Sequence, residues 1–187
     1  LDQTDDLVIY GPKIFQNVDV WEGYQSYVGP MPFDGTSIIK AIHKAGISLV
    51  LSSEAHKEAA LMSSRLFESL AAGAVIICDE NQFAKEHFGD TLLYIKTADT
   101  EADVITTQVR KHLDWINDNK EQAIELAKKA QAIFLQKFDM SLAMNKIYAG
   151  LPARKKALAD TYLNKSSSAK LNVFGVLREF NKEELKH

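Results

Sequence analysis

The chain has 187 residues, of which 46% are hydrophobic and 25% charged, and a formal net charge of −3 at pH 7. Those figures suit a globular protein of one domain with appendages, and they exclude a general electrostatic pull toward nucleic acid or an anionic membrane. A single cysteine, Cys78, excludes an internal disulfide framework and fits a reducing, cytoplasmic compartment. No apolar run is long enough to span a membrane, and no signal peptide is visible.

Leu1, not methionine, opens the chain and reads as a boundary inside something longer. Residues 7–10 predict a first strand, closed by the turn Gly11-Pro12. Residues 13–35 read as irregular, with a short strand around 26–28. Thr36 is a candidate cap for a helix whose Ile38, Ile39, Ile42 and Ala45 share one face, with Gly46 as its stop. Ile47–Leu51 is a buried-type strand, and 52–62 reads as a loop. A helix then runs to Ala72, followed by the strand Ala74–Cys78, a short helix near Phe83–Phe88 and the strand Leu92–Ile95. Strands alternating with helices at this spacing predict a Rossmann-like α/β fold. Its parallel sheet is flanked by helices.

Beyond Lys96 the pattern is helical throughout, a C-terminal helical extension. Ile105, Val109, Leu113 and Ile116 make one stripe. Ile124, Ala127, Ala130, Phe134 and Phe138 make another, with a break near Asn117–Asn119. Ser141–Leu151 predicts a third helix stopped by Pro152, and a basic, Ala-rich helix covers 153–163. Ser166–Ser168 is a linker signal, Leu171–Leu177 an isolated strand, and Asn181 a helix start.

The stretch 63–79 carries the most chemistry. Ser63 and Ser64 open a short helix on which Arg65 and Glu68 sit one turn apart and share a face. A helix start has free N–H groups and partial positive charge, which suit a diphosphate. Arg65 can add a forked contact to phosphate, and Glu68 can accept from ribose hydroxyls. The competing reading is an ordinary surface ion pair. Gly11 and Lys13 follow the first strand, where open parallel sheets place their ligands. Glycine lets phosphate approach the backbone, and lysine supplies a point charge. A plain turn with a solvated lysine is the plainer alternative.

Other chemistry is sparse. His56 follows Ser52-Ser53 at a strand end, whereas His43, His87 and His112 sit in helical patterns. No His, Cys or carboxylate pair has metal-ligand spacing, so no metal is expected, and no Asp-x-Asp follows a strand. Cys78 lies in an apolar run and reads as an inert thiol. Gly11 does not begin a Gly-x-Gly-x-x-Gly run, which disfavours a dinucleotide-binding dehydrogenase. Asp5-Asp6 raises a signalling receiver domain, but Ser52-Ser53-Glu54 offers no phosphoacceptor aspartate after the third strand.

Five stretches together carry a family resemblance: Leu-Val-Ile-Tyr-Gly-Pro (7–12), Tyr-Val-Gly-Pro-Met-Pro-Phe (27–33), the run 38–51, Ser-Arg-Leu-Phe-Glu-Ser-Leu-Ala-Ala-Gly-Ala (64–74) and Phe-Gly-Asp-Thr-Leu-Leu-Tyr-Ile (88–95). In order and spacing, residues 7–150 resemble the donor-binding C-terminal half of a GT-B glycosyltransferase, in the family 1 group that includes spore-maturation-type proteins. The resemblance implies sugar transfer from a nucleoside diphosphate sugar to a glycan or other acceptor, as in polysaccharide biosynthesis. The donor is a substrate, and no other cofactor is implied. Carried over, Glu68 holds ribose, while Arg65 with the N–H groups of Ser63 and Ser64 holds the diphosphate. Gly11 and Lys13 are lesser phosphate contacts. Many relatives carry two glutamates seven residues apart, and the earlier falls on Ala60, with Glu58 out of register.

The implied organisation is a nucleotide-sugar-binding domain over 1–150, a helix and linker over 151–170, and a tail or further domain over 171–187. The acceptor domain, with any catalytic base, would come from the same longer protein. The tail resembles the opening strand and helix of a family 2 glycosyltransferase domain; the alternative is an arm packing on this domain or a partner. For the whole chain, the alternative is a non-catalytic Rossmann-like interaction module, favoured by Ala60.

Overall fold

The structure, a computed structural model, describes residues 1–2 and 6–165. The serine run 166–168, the strand expected over 171–177 and the helix start at Asn181 lie outside the described residues. Two compact units divide the chain, Leu1–Phe138 and Asp139–His187.

The first unit is a mixed α/β fold. It opens with the strands β1 (Ile9–Tyr10), β2 (Ile14–Phe15), β3 (Val18–Asp19) and β4 (Tyr27–Gly29). Next come helix α1 (Ser37–Ala45), strand β5 (Ile47–Val50), helices α2 (Glu54–Glu58) and α3 (Ser64–Ala72), and strand β6 (Val75–Asp79). Helix α4 (Gln82–Phe88), a 3₁₀ turn (Gly89–Thr91), strand β7 (Leu93–Ile95) and helices α5 (Ala102–Asp118) and α6 (Lys120–Phe138) complete it.

Strands β5, β6 and β7 form a parallel sheet in that order, in register from Ile47 opposite Val75 to Asp79 opposite Ile95. The central strand β6 is buried at every position. Successive side chains point to opposite faces of a strand. Thus Ile76 and Cys78 join Val50, Leu66, Leu70, Ala84, Phe88 and Ala130 in one core. Val75 and Ile77 join Ile95, Val109, Ile116, Ala123 and Ala127 in another. Phe67, Phe83, Phe134 and Phe138 pack on the first core, and Ile47, Leu113 and Trp115 on the second. A sheet covered on both faces needs near-continuous apolar strands, as 74–78 provides.

Several expectations need correction. The first strand does not join this sheet; β1 pairs in parallel with β4 alone. The segment read as irregular contains the β2–β3 hairpin, turned by Gln16 and Asn17 at φ 50° and 63°. Its Ile14, Phe15 and Val18 are exposed, so no inward alternation marks it in sequence. Thr36 sits at the N-cap of α1 but makes no capping bond. Asp34 does the capping: its carboxylate accepts from the Ser37 N–H at 2.8 Å, the Thr36 N–H at 2.9 Å and the Ser37 hydroxyl at 2.6 Å. These bonds favour the charged form and hold the Asp34 carboxyl well below the usual carboxylate range, the Ser37 hydroxyl contributing most. The loop 52–62 contains α2, whose five residues carry no apolar stripe.

The second unit contains helix α7 (Met140–Lys165), which runs through Pro152 instead of stopping there. Proline removes one intrahelical bond, and the Ala- and Lys-rich turns that follow it, residues 153–159, are strong helix formers that carry the helix past it. Among the described residues, no helix is long and apolar enough to cross a membrane.

Candidate functional site

In a parallel sheet with helical crossovers, ligands bind beyond the carboxyl ends of the strands. Helix α3 begins at that edge, since it connects β5 to β6, and its far end is firmly held. Gly73, at φ 68°, closes the helix by donating its N–H to the Leu70 and Ser69 carbonyls. The His43 ring Nδ1–H donates to the Ala72 carbonyl at 2.9 Å, and Gln131 Nε2 donates to the Ala71 carbonyl at 3.1 Å. In the interior, the buried Ser69 hydroxyl donates to the Arg65 carbonyl at 2.7 Å and so accepts from Ser48 Oγ, also at 2.7 Å.

The start of α3 is different. Ser63 has an extended N-cap conformation (φ −72°, ψ 156°) but its hydroxyl makes no capping bond. The helix therefore presents Ser63, Ser64 and a partial positive charge at its opening turn. Arg65 Nε donates to Glu68 Oε2 at 3.0 Å, and the two side chains are 50% and 27% exposed. Spacing alone predicts this pairing, and such a pair is reached easily by solvent or a ligand.

Gly11 and Lys13 are engaged elsewhere. The Gly11 N–H donates to the Gly29 carbonyl at 3.1 Å, and its carbonyl accepts from the Tyr27 hydroxyl at 3.0 Å. Lys13 pairs with Asp19 at 3.5 Å. Trp21 closes this corner, stacked on Tyr27 and donating from Nε1 to the Pro12 carbonyl at 3.0 Å. None of the hydrogen bonds or ion pairs of Gly11 and Lys13 reaches α3.

A polar network that the sequence pattern does not mark holds the segment leading into α3. Asp79, fully buried at the end of β6, accepts from the Ser52 N–H at 2.6 Å and the Ser52 hydroxyl at 3.1 Å. Asn81, also fully buried, donates from Nδ2 to the Leu61 carbonyl at 2.7 Å. Lys57 Nζ reaches Glu54 at 2.8 Å, Thr97 at 2.9 Å and Asp79 at 4.0 Å. The available signal was a carboxylate and an amide immediately after a wholly apolar strand, where buried polar groups must find partners.

The remaining reactive side chains are quiet. Burial, then the Asp79 carboxylate, pushes the Cys78 thiol up to about 12, which makes it a poor nucleophile. His112 Nε2 donates to the Tyr94 carbonyl at 2.9 Å, and His87 packs against Phe83 and Phe138. Ser53 Oγ lies 2.7 Å from His56 Nδ1. Burial raises the Tyr94 hydroxyl above its usual range, and that oxygen has no hydrogen-bond partner among the described residues.

A family model described as glycosyl transferase-like matches residues 1–149. No curated protein and no solved structure matches the chain. The family match spans the whole α/β unit, including β5–β7 and the start of α3; the chain belongs to the glycosyl transferase-like family.

Proposed function

We propose that this chain is the donor-binding part of a GT-B-like glycosyltransferase and holds a nucleoside diphosphate sugar at the start of α3. One observation carries the reading: in a chain of this family, an uncapped helix start bearing Arg65 and Glu68 stands at the carboxyl edge of a parallel sheet. Arg65 and the N–H groups of Ser63 and Ser64 take the diphosphate, and Glu68 accepts from ribose. Arg65 gives up a pair worth a few tenths of a kcal/mol to gain a charge-assisted contact worth roughly 1.5–3 kcal/mol. Gly11 and Lys13 have a smaller part: both backbone groups of Gly11 are already bonded, whereas Lys13 is exposed enough to turn from Asp19. Transfer to the acceptor needs a second wall from the same longer cytoplasmic protein, because donor and acceptor must meet in a near-attack arrangement.

The second reading, a non-catalytic interaction module, is favoured by the Arg65–Glu68 pair being complete without a ligand. Thermal shift with UDP and GDP separates the two. A ligand at ten times its Kd adds about 1.4 kcal/mol to the folded state, a rise of a few degrees in Tm. No rise with either nucleotide at millimolar concentration rejects donor binding by this chain.

A further inference from the structure

The connection between β5 and α3 is held at both ends by one short turn. Asp79 grips its beginning through the Ser52 N–H and hydroxyl, and two residues later Asn81 grips its end through the Leu61 carbonyl. Asn81 Nδ2 also lies 3.4 Å from Ser52 Oγ, which ties the two grips together. Lys57 holds the middle, reaching Thr97 beyond β7 and standing 4.0 Å from the Asp79 carboxylate. Between the grips, Ala60 is kept at φ 49°, a left-handed conformation that a side-chain-bearing residue adopts when its surroundings impose it. The segment ends two residues before the α3 N-cap, so its position decides where the uncapped N–H groups and Arg65 stand.

We propose that Asp79, Asn81 and Lys57 form a clamp that closes the 52–61 segment onto the carboxyl edge of the sheet and acts as a set of positioning residues for the start of α3. The clamp is a property of the unliganded chain; its service to a diphosphate rests on the proposed function. Its energetic logic is that a buried carboxylate and a buried amide satisfy their bonding only when the segment is closed. Opening removes both Ser52 donors from Asp79 and the Leu61 acceptor from Asn81, which keeps only the Phe83 N–H on its Oδ1, so the polar bonds favour the closed form.

The test is amide hydrogen exchange on the full chain and on Lys57→Met, Lys57→Arg and Asp79→Asn. The Ala59, Ala60 and Leu61 amides, bonded to the Ala55, Lys57 and His56 carbonyls, report the segment. Loss of one charge-assisted bond speeds their exchange by about tenfold or more. The amides of β6 keep parent protection, and Lys57→Arg restores the parent pattern. Lys57 belongs to the short helix α2 and to neither core, so Lys57→Met decides the matter even if Asp79→Asn fails to fold. Unchanged exchange at 59–61 in Lys57→Met, or an equal rise throughout β6, overturns the clamp.

With UDP present, exchange at 59–61 slows in the parent and recovers in Lys57→Met, because a ligand needing the closed segment draws the population back to it. UDP that raises Tm yet leaves exchange at 59–61 unaltered overturns the positioning role while donor binding stands. UDP that fails to bind the parent removes the proposed function, and the unliganded exchange still decides the clamp.

Discussion

Replacing Arg65 and Glu68 singly separates a ligand site from a surface ion pair. In the free chain the two meet at 3.0 Å on a half-exposed helix face, an i,i+3 pair. Such pairs contribute roughly 0.2–0.5 kcal/mol, so neither Arg65→Ala nor Glu68→Gln changes unfolding free energy by more than about 0.5 kcal/mol. Binding behaves differently if Arg65 turns to phosphate. A lost charge-assisted hydrogen bond costs roughly 1.5–3 kcal/mol, about ten- to a hundredfold in Kd. Arg65→Ala should therefore weaken UDP by that factor and uridine much less. Glu68→Gln should weaken both alike, because ribose is common to them. Isothermal titration calorimetry reads the Kd values, with urea unfolding of the same samples as the stability control. Parent-like binding by both variants refutes the site and leaves the pair as surface electrostatics.

Two further outcomes follow from the fold around the site. Gly73→Ala should cost about 2–3 kcal/mol in chemical denaturation. Part is the left-handed conformation at φ 68°, roughly 1–2 kcal/mol; the rest comes from displacing Gln131 Nε2, 3.2 Å from the new methyl, which weakens its bond to Ala71. A loss under about 0.5 kcal/mol would mean that the α3 terminus relaxes freely. Asp34 makes α1 sensitive to acid. Its carboxyl is depressed in the folded chain, so its contribution is complete above the ordinary value of 3.8 and is lost as pH falls toward the folded value. Amides of the first α1 turn should lose exchange protection below that point in the parent, and Asp34→Asn should flatten the dependence; identical profiles would refute the cap.

How much could be read in advance follows from where each signal lives. Periodicity located β5, β6, β7, α3 and α4 to within a residue or two and marked the apolar stripes of α5 and α6 without their first turns, because buried faces impose a period of 2 or 3.6 on the apolar residues. Gly46 and Gly73 marked helix ends correctly, since both adopt the left-handed conformation in which glycine avoids strain. The i,i+3 spacing of Arg65 and Glu68 likewise settled their meeting. Where no face is buried, the pattern is silent: it marks neither the exposed β2–β3 hairpin nor the five-residue α2, and the stop it signals at Pro152 is overridden by the helix-forming residues after it.

What only the tertiary structure decided is which distant polar groups meet. His43, from another helix, supplied the bond that the last carbonyl of α3 needed. Asp79 and Asn81 became the holders of a segment about twenty to thirty positions earlier in the chain. Local sequence records propensity and the side a residue faces; the partner of a buried carboxylate or amide is set by the three-dimensional closure of the chain, which brings together groups with no fixed spacing.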